Sequence, residues 1–171
     1  MKNIVLTGFM GTGKTEVGRE LARMLSMKLI DIDAEIELAR GMKINDIFRD
    51  LGEPAFRDIE TEMIRAITKG RNLIISAGGG AVLREENMQA LRENGIVFCL
   101  TAGPDTILQR TSQHDDRPLL KVDDPRKRIK ELLELRRPFY EKAGIMIDTE
   151  EKNPFEIAGE IREIYHAETQ G

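Results

Sequence analysis

A glycine-rich run near the start of the chain has the residue types and spacing of a phosphate-binding loop. Residues 8–15 read GFMGTGKT and fit the pattern G-x-x-x-x-G-K-[ST]. Glycines let the backbone curl so that successive N–H groups point at an anion. Lys14 would reach the β- and γ-phosphates of a nucleotide, and the Thr15 hydroxyl would bind Mg²⁺. The predicted nucleotide-binding residues here are Gly11, Thr12, Gly13, Lys14 and Thr15. The alternative is a glycine-rich turn that binds nothing.

Two carboxylates form a second candidate group. Residues 29–33 read LIDID, and a strand would place Asp31 and Asp33 on one face because alternate side chains of a strand point the same way. Open α/β sheets bind ligands at the carboxyl ends of their strands, where this pair would lie. One carboxylate would hold the Mg²⁺ shell, and the other would orient an acceptor hydroxyl or accept its proton. The alternative is that one or both cap the next helix, which suits Asp33 because residues 34–36 follow it.

A glycine triplet follows a predicted strand at residues 73–76 and forms a third candidate group. Glycines at the carboxyl end of a strand would expose backbone N–H groups and permit close approach of a ligand. A flexible strand-to-helix turn, which is the alternative, would need only one glycine. The predicted substrate-binding glycines are Gly78, Gly79 and Gly80.

Two arginines add groups that suit a small anionic substrate. Arg57 has Glu60 three residues further on, which is close enough on a helix to brace it. Arg136 lies in the run LRRPFY at residues 135–140. A guanidinium matches a carboxylate bidentately, so two arginines beside a glycine cradle would grip a small acid. Either arginine alone is more typical of a solvated surface.

A polar segment at residues 111–124, TSQHDDRPLLKVDD, separates two helical stretches and is broken by Pro118. In a phosphate-binding fold such a segment is a candidate lid. Arg110 and Arg117 add phosphate-type ligands on either side of its polar centre. The alternative is an ordinary surface loop.

Five apolar runs alternate with helical patterns, and together they predict the scaffold that positions these groups. The predicted strands are residues 4–6, 28–32, 73–76, 96–100 and 145–147. The predicted helices are residues 14–25, 34–39, 44–50, 54–69, 85–94, 104–110, 125–142 and 154–167, the last with Pro154 in a first-turn position. Regular alternation predicts an α/β fold of three layers, α/β/α, with a five-stranded parallel sheet.

Composition bounds the class of protein. A length of 171 residues predicts one domain, and 26 basic against 30 acidic residues give a net charge of −4. That balance argues against a nucleic-acid binder or a binder of anionic membranes, because both need a basic surface. The single cysteine, Cys99, lies in an apolar run and is expected to be a buried thiol. Without a signal peptide or an apolar span, the chain is expected to be cytoplasmic.

The combined motifs resemble those of the shikimate kinase family over nearly the whole chain, from Gly8 to Pro154. A phosphate loop alone is shared by many families, but this combination in this order is specific. The matching segments are residues 8–15, 31–33, 48–60 (FRDLGEPAFRDIE), 76–82 (SAGGGAV), 117–120 (RPLL) and 136–140 (RRPFY). The resemblance implies a P-loop kinase architecture of the nucleoside-monophosphate-kinase-like group, with a mobile lid.

The resemblance also implies a reaction. The family phosphorylates the 3-hydroxyl of shikimate with ATP and Mg²⁺, giving shikimate 3-phosphate and ADP in aromatic amino acid biosynthesis. ATP and shikimate are therefore the expected small-molecule partners, Mg²⁺ is the expected cofactor, and we expect a monomer. By resemblance, Lys14, Asp33 and Arg117 are catalytic, Thr15 and Asp31 serve the metal, and the shikimate-binding positions are Asp33, Arg57, Gly78, Gly79, Gly80 and Arg136. Arg110 and Pro154 match positions that flank the adenine, and Phe48, Phe56 and Glu60 match a substrate-binding region at about residues 33–60.

Arg136 and Arg137 compete for one role. The family places its arginine two residues before the proline, which favours Arg136, because neighbours on a helix face different ways.

Two other functions compete with this reading. A kinase for another polyol acid, such as gluconate, would share the phosphate loop and the lid, but the glycine triplet with Arg57 and Arg136 argues against it. A GTPase-like switch would usually carry the guanine motif N-K-x-D, which does not occur in the chain.

Overall fold

A five-stranded parallel sheet forms the centre of the molecule. The structure is a computed structural model, and it describes residues 1–112 and 120–170. The strands are β1 (Asn3–Gly8), β2 (Lys28–Asp31), β3 (Leu73–Ser76), β4 (Gly95–Thr101) and β5 (Ile145–Asp148). Their order in the sheet is β2-β3-β1-β4-β5, and each neighbouring pair is parallel. The predicted five-stranded parallel sheet is confirmed.

Helices cover both faces of this sheet. They are α1 (Lys14–Leu25), α2 (Ile32–Arg40), α3 (Ile44–Ile67), α4 (Glu85–Glu93), α5 (Pro104–Thr111), α6 (Pro125–Ala143) and α7 (Pro154–Gln170), with a 3₁₀ turn at Ala81–Leu83. Alternate residues of the central strand β1 enter different cores, as the pleat of a strand requires. Ile4 and Leu6 pack with α1 and α7, whereas Val5 packs with the helices of the other face. The predicted three-layer architecture is therefore confirmed.

Helix α3 is two helical segments joined at a kink. Gly52 has φ 84° and ψ 167°, which no helix accommodates, and Pro54 follows two residues later. Proline fits the first turn of a helix, so the second segment begins there. The sequence predicts a break between residues 50 and 54, and the kink lies within it.

The carboxyl ends of β1, β3 and β2 meet at one edge of the sheet. The chain runs from β1 to β2 and β3 on one side, then crosses to β4 and β5 on the other. This reversal beside β1 is the point at which open α/β sheets bind ligands. The phosphate loop, the carboxylate pair and the glycine triplet follow these three strands.

The predicted lid at residues 111–124 lies mostly outside the described residues, because residues 113–119 are not among them. Arg117, the predicted lid arginine, lies outside them as well. A helix lies at each end of the predicted lid. Thr111 is the last residue of α5. The Asp124 carboxylate caps α6 by accepting a hydrogen bond from the Lys127 N–H at 3.0 Å. Within residues 1–112 and 120–170, none of the helices is both long and apolar enough to cross a bilayer.

Candidate active site

The phosphate loop connects β1 to α1 with a backbone that requires its glycines. Gly8, Gly11 and Gly13 have φ values of 131°, 76° and 92°, which strain any residue that carries a Cβ. A Cβ on Gly8 would also lie only 2.2 Å from the Leu100 carbonyl oxygen of β4. The backbone of this loop therefore depends on its glycines.

Two side chains of the loop bind its own carbonyl groups. The Thr12 hydroxyl donates to the Phe9 carbonyl at 2.7 Å. The Lys14 ammonium donates to the Gly8 and Phe9 carbonyls, both at 2.9 Å. These bonds hold the positive charge of Lys14 at the mouth of the loop, where the phosphates of a nucleotide would lie.

The two predicted metal ligands lie side by side. The Thr15 Oγ1 and Asp31 Oδ2 atoms are 3.4 Å apart. Mg²⁺ prefers oxygen ligands and is commonly held by one or two protein groups together with substrate phosphates, so a hydroxyl and a carboxylate beside the phosphate loop fit it. In the described ranges, no group of three or more His, Cys, Asp or Glu residues could bind a metal unaided. The phosphates of a bound nucleotide would supply further oxygen ligands beside this pair.

The predicted placement of the carboxylate pair is wrong in one respect. Strand β2 ends at Asp31, and its carboxylate caps α2 by accepting a hydrogen bond from the Ala34 N–H at 3.2 Å. Asp33 lies in the first turn of α2, so it neither follows Asp31 on a strand face nor caps the helix. The reason is that capping satisfies an otherwise unpaired N–H, while Ile32 enters the core as a helical residue with no exposed surface. Both carboxylates nevertheless line the same cleft.

Arg57 is buried and held by two carboxylates. Its Nη1 atom is 3.0 Å from Glu60 Oε1, and its Nη2 atom is 3.1 Å from Glu53 Oε1. Its Nε is buried without a hydrogen-bond partner among the described residues. The guanidinium carbon also lies 5.1 Å from the centre of the Phe56 ring, within cation–π range. Sequence reasoning missed Glu53, although its spacing of four residues before Arg57 is the helical signal for such a pair.

Glu60 has an unusual carboxyl group because it is fully buried. Burial raises its pKa to about 7, and the nearby Asp33 carboxylate adds to the rise, while the Arg57 guanidinium opposes it. Glu60 therefore changes charge near neutral pH, directly behind the arginine that faces the cleft. Perturbed carboxyl groups of this kind are typical of functional sites.

Arg136 reaches the same cleft from α6. Its side chain is only 3% exposed, and its guanidinium carbon lies 5.7 Å from the centre of the Phe9 ring. Its Nη1 is buried and has no hydrogen-bond partner in the part of the chain that the structure describes. A buried donor without a partner is costly, and an anion in the cleft would satisfy it. The neighbouring Arg137 is exposed and does not line the cleft.

The glycine triplet is packed against the protein itself. A Cβ on Gly80 would lie 2.2 Å from Arg57 Nη2, and a Cβ on Gly78 would lie 3.1 Å from Glu60 Oε2. None of the three glycines has a positive φ. The sequence analysis explained these glycines by the close approach of a ligand. That explanation is incomplete, because atoms of the protein already occupy the space that a Cβ would need.

The far end of the cleft is formed by Arg110 and Pro154. Arg110 Nη1 donates to the Gly11 carbonyl of the phosphate loop and to the Thr149 hydroxyl, both at 3.2 Å. Pro154 begins α7 beside it. These contacts tie the loop before α7 to the phosphate loop.

All these groups line one cleft of about 1170 Å³. It runs from Arg110 and Pro154, past the phosphate loop, to Arg57 and Arg136, and every predicted site residue that the structure describes lines it. That volume exceeds the usual range for a single small ligand. The fold and this site therefore define a P-loop phosphotransferase class, with room for a nucleotide and a small anionic acceptor.

Comparison with known proteins identifies the family. The shikimate kinase family model matches residues 10–166. The shikimate kinase of Thermodesulfovibrio yellowstonii is 51% identical over 171 residues, covering 100% of this chain and 99% of its own. That of Persephonella marina is 48% identical over 161 residues, covering 94% and 97%. The chain belongs to the shikimate kinase family, as its motifs predict, and its activity is that of a shikimate kinase of the shikimate pathway.

Solved structures agree with this assignment. Shikimate kinase from Acinetobacter baumannii in complex with shikimate superposes with a TM-score of 0.95 at 36% identity, covering 98% of this chain and 94% of that one. A gluconokinase from Sinorhizobium meliloti has a TM-score of 0.60 at 17% identity, which shows a shared fold alone. The shikimate kinase family generally uses Mg-ATP.

Proposed function

We propose that this cleft transfers the γ-phosphoryl group of Mg-ATP to the 3-hydroxyl of shikimate, with shikimate between Arg57, Arg136 and the glycine triplet. The observation that carries this placement is the buried, unpaired Nη1 of Arg136, which faces the same cleft as the phosphate loop. A substrate carboxylate supplies the acceptor oxygens that two guanidinium groups require.

Each remaining group has a role set by its position. Lys14 and the loop N–H groups would hold the phosphates, because phosphoryl transfer needs positioning and charge compensation above all. Thr15 and Asp31 would hold Mg²⁺, which neutralises phosphate charge when bound. Asp33 would hold the acceptor hydroxyl and take its proton.

Three further residues have proposed roles at the nucleotide end of the cleft. Arg110 and Pro154 would flank the adenine. Arg117 stays a predicted lid arginine that would close over the phosphates and exclude water, which would otherwise hydrolyse ATP.

The monomeric state and the cytoplasmic location of the protein also stay predictions.

Replacing Arg136 by lysine tests the placement of the substrate. Arg136→Lys keeps the positive charge but loses the planar fork, so the KM for shikimate should rise by about 10-fold or more while the KM for ATP changes little. Arg137→Lys is the matched control, because the same change on the exposed neighbour should alter neither constant. Equal effects of Arg136→Lys on both KM values, or a shikimate-selective defect in Arg137→Lys, would contradict the placement.

The acceptor is tested by measuring ADP release in a coupled assay with shikimate, with gluconate and with neither. Shikimate should give rapid turnover, whereas gluconate should give no more ADP than the reaction without an acceptor. Comparable turnover with gluconate would favour the competing polyol-acid kinase.

A further inference from the structure

The Tyr140 hydroxyl connects α6 to the middle of the glycine triplet. It donates a hydrogen bond to the Gly79 carbonyl at 2.7 Å, across a sequence separation of 61 residues. Tyr140 is one helical turn beyond Arg136 and is itself buried. Burial raises the pKa of Tyr140 to about 12, so the hydroxyl keeps its proton and remains a donor throughout the pH range in which the enzyme can work.

Gly79 packs directly against the phosphate loop. A Cβ on Gly79 would lie 3.0 Å from the Gly8 carbonyl oxygen and 3.3 Å from the Met10 nitrogen. Its neighbours in the triplet, Gly78 and Gly80, pack against the acceptor side of the cleft. The peptide that Tyr140 holds is therefore the one that lies between the two substrate sites.

Helix α6 also contacts the phosphate loop directly, through Arg136, whose guanidinium lies over the Phe9 ring at 5.7 Å. The same helix thus contacts the phosphate loop through Arg136 and the glycine triplet through Tyr140. Removing the Tyr140 hydroxyl would leave the contact between Arg136 and the Phe9 ring in place. It would take the side-chain donor from the partly buried Gly79 carbonyl, and it would also remove the oxygen that interacts with the Arg136 guanidinium.

We propose that Tyr140 is a positioning residue for the acceptor substrate, because its hydroxyl fixes the glycine triplet between the phosphate loop and the two arginines. The inference rests on the proposed placement of shikimate beside that triplet. A partly buried carbonyl that loses its donor is destabilised, and the triplet would shift towards another hydrogen-bond partner. Displacement of a substrate-positioning segment by about 1 Å weakens catalysis even when no reacting group is lost.

The chain contains a matched control for this hydrogen bond. Its second and last tyrosine, Tyr165, is also buried, and its hydroxyl donates to the Lys2 carbonyl at the same distance, 2.7 Å. Lys2 precedes β1, at the end of the sheet opposite the phosphate loop. Tyr165→Phe therefore removes the same kind of bond without touching the cleft.

Steady-state kinetics of Tyr140→Phe and Tyr165→Phe test the proposal. Tyr140→Phe should raise the KM for shikimate by about 3-fold to 10-fold, the scale of one hydrogen bond, and change the KM for ATP by less than about 2-fold. Tyr165→Phe should change neither KM, although it should lower the midpoint of urea unfolding to a similar extent. Equal KM values for shikimate in the two variants would overturn the proposal. Failure of the shikimate placement itself would be seen separately, as an Arg136→Lys variant with an unchanged KM for shikimate.

Fluorine NMR gives a second readout that does not require Tyr140→Phe to fold. Labelling the chain with 3-fluorotyrosine yields two resonances, because the chain has two tyrosines, and labelled Tyr165→Phe assigns them. Saturating shikimate should shift the Tyr140 resonance and leave the Tyr165 resonance in place. An unmoved Tyr140 resonance, or equal shifts of both, would overturn the proposal.

Discussion

Asp31 and Asp33 are two residues apart in sequence but have different surroundings. The Asp31 carboxylate caps α2 and lies 3.4 Å from the Thr15 hydroxyl. The Asp33 carboxylate lies in the first turn of that helix and faces Gly78, since a Cβ on Gly78 would be 3.4 Å from Asp33 Oδ1. One carboxylate thus belongs to the phosphate side of the cleft and the other to the acceptor side.

Replacing each carboxylate by its amide should separate these roles. Asp31→Asn should weaken Mg²⁺-dependent activity and recover at raised Mg²⁺, and it should still fold because asparagine is an equally good helix cap. Asp33→Asn should lower kcat by about 10²-fold or more without rescue by Mg²⁺, because an amide cannot accept the proton of the hydroxyl. The measurement is a Mg²⁺ titration of both variants at saturating shikimate, and the opposite pattern of rescue would exchange the two assignments.

Glu60 should make the binding of shikimate depend on pH. Its carboxyl has a pKa raised to about 7 by burial, and the carboxylate of shikimate beside Arg57 would add a second nearby negative charge. Binding should therefore favour the protonated form of Glu60. The KM for shikimate should rise as the pH increases through about 7, because a proton must then be taken up for binding.

Glu60→Gln should abolish this rise, since glutamine stays neutral at every pH, and the KM profile should be flat between about pH 6 and 8. Glu53→Gln is the control, because Glu53 also pairs with Arg57 but its side chain is 44% exposed, whereas that of Glu60 is fully buried. It should retain the slope of the wild-type chain. A Glu60→Gln profile that still rises through neutral pH would mean that another group titrates.

Among the elements, α3 depends on one residue to place its second half. Gly52 adopts φ 84° at the kink, and the segment after it carries Arg57 and Glu60 into the cleft. Among the described residues, a Cβ on Gly52 would meet only the Pro54 ring within 4 Å, at 3.8 Å. Glycine is therefore required at position 52 because of the backbone conformation, and not because a Cβ would lack space.

Gly52→Ala and Gly159→Ala should have opposite effects on stability. Gly159 is inside α7, where a Cβ would meet no packing neighbour within 4 Å among the residues that the structure describes, so alanine should stabilise the chain by about 0.5–1 kcal/mol. Gly52→Ala should destabilise it by about 1–2 kcal/mol, because the left-handed region strains a residue with a Cβ. Urea unfolding measures both changes, and stabilisation by Gly52→Ala would show that the kink is not needed.

At the scale of the whole molecule, one buried side chain joins distant parts of the chain at the end of the sheet opposite the cleft. The Asn3 amide donates to the Gly70 carbonyl at 2.9 Å and accepts from the Leu73 N–H at 3.0 Å. It is 1% exposed. It therefore joins the start of β1 to the turn that leads into β3.

Asn3→Ala should lower the free energy of unfolding by about 1–3 kcal/mol, because two partly buried backbone groups lose their partner. The KM values for ATP and shikimate should stay unchanged, since β1 separates Asn3 from the phosphate loop. Lys2→Ala is the control, because the exposed side chain next to Asn3 should contribute less than about 0.5 kcal/mol. A KM change in Asn3→Ala would show that this end of the sheet is coupled to the cleft.

Features that depend on residues close together in the chain can be predicted without the structure. The phosphate loop needs glycines at set positions followed by Lys14 and Thr15, and a contiguous run of residues contains all of that information. The strands and helices are read from local alternation of apolar and polar residues, which follows from the geometry of each element. The motifs in order were also enough to identify the family, because each is a local pattern.

The contacts between groups that are distant in the chain come from the packed fold alone. It made Asp31 the cap of α2, it buried Glu60 so that its carboxyl titrates near neutral pH, and it joined Tyr140 to Gly79 across 61 residues. Burial and contact of this kind arise when separate segments meet at the carboxyl edge of the sheet. The spacing of residues along the chain does not predict these contacts, because the distance between two side chains depends on every element packed between them.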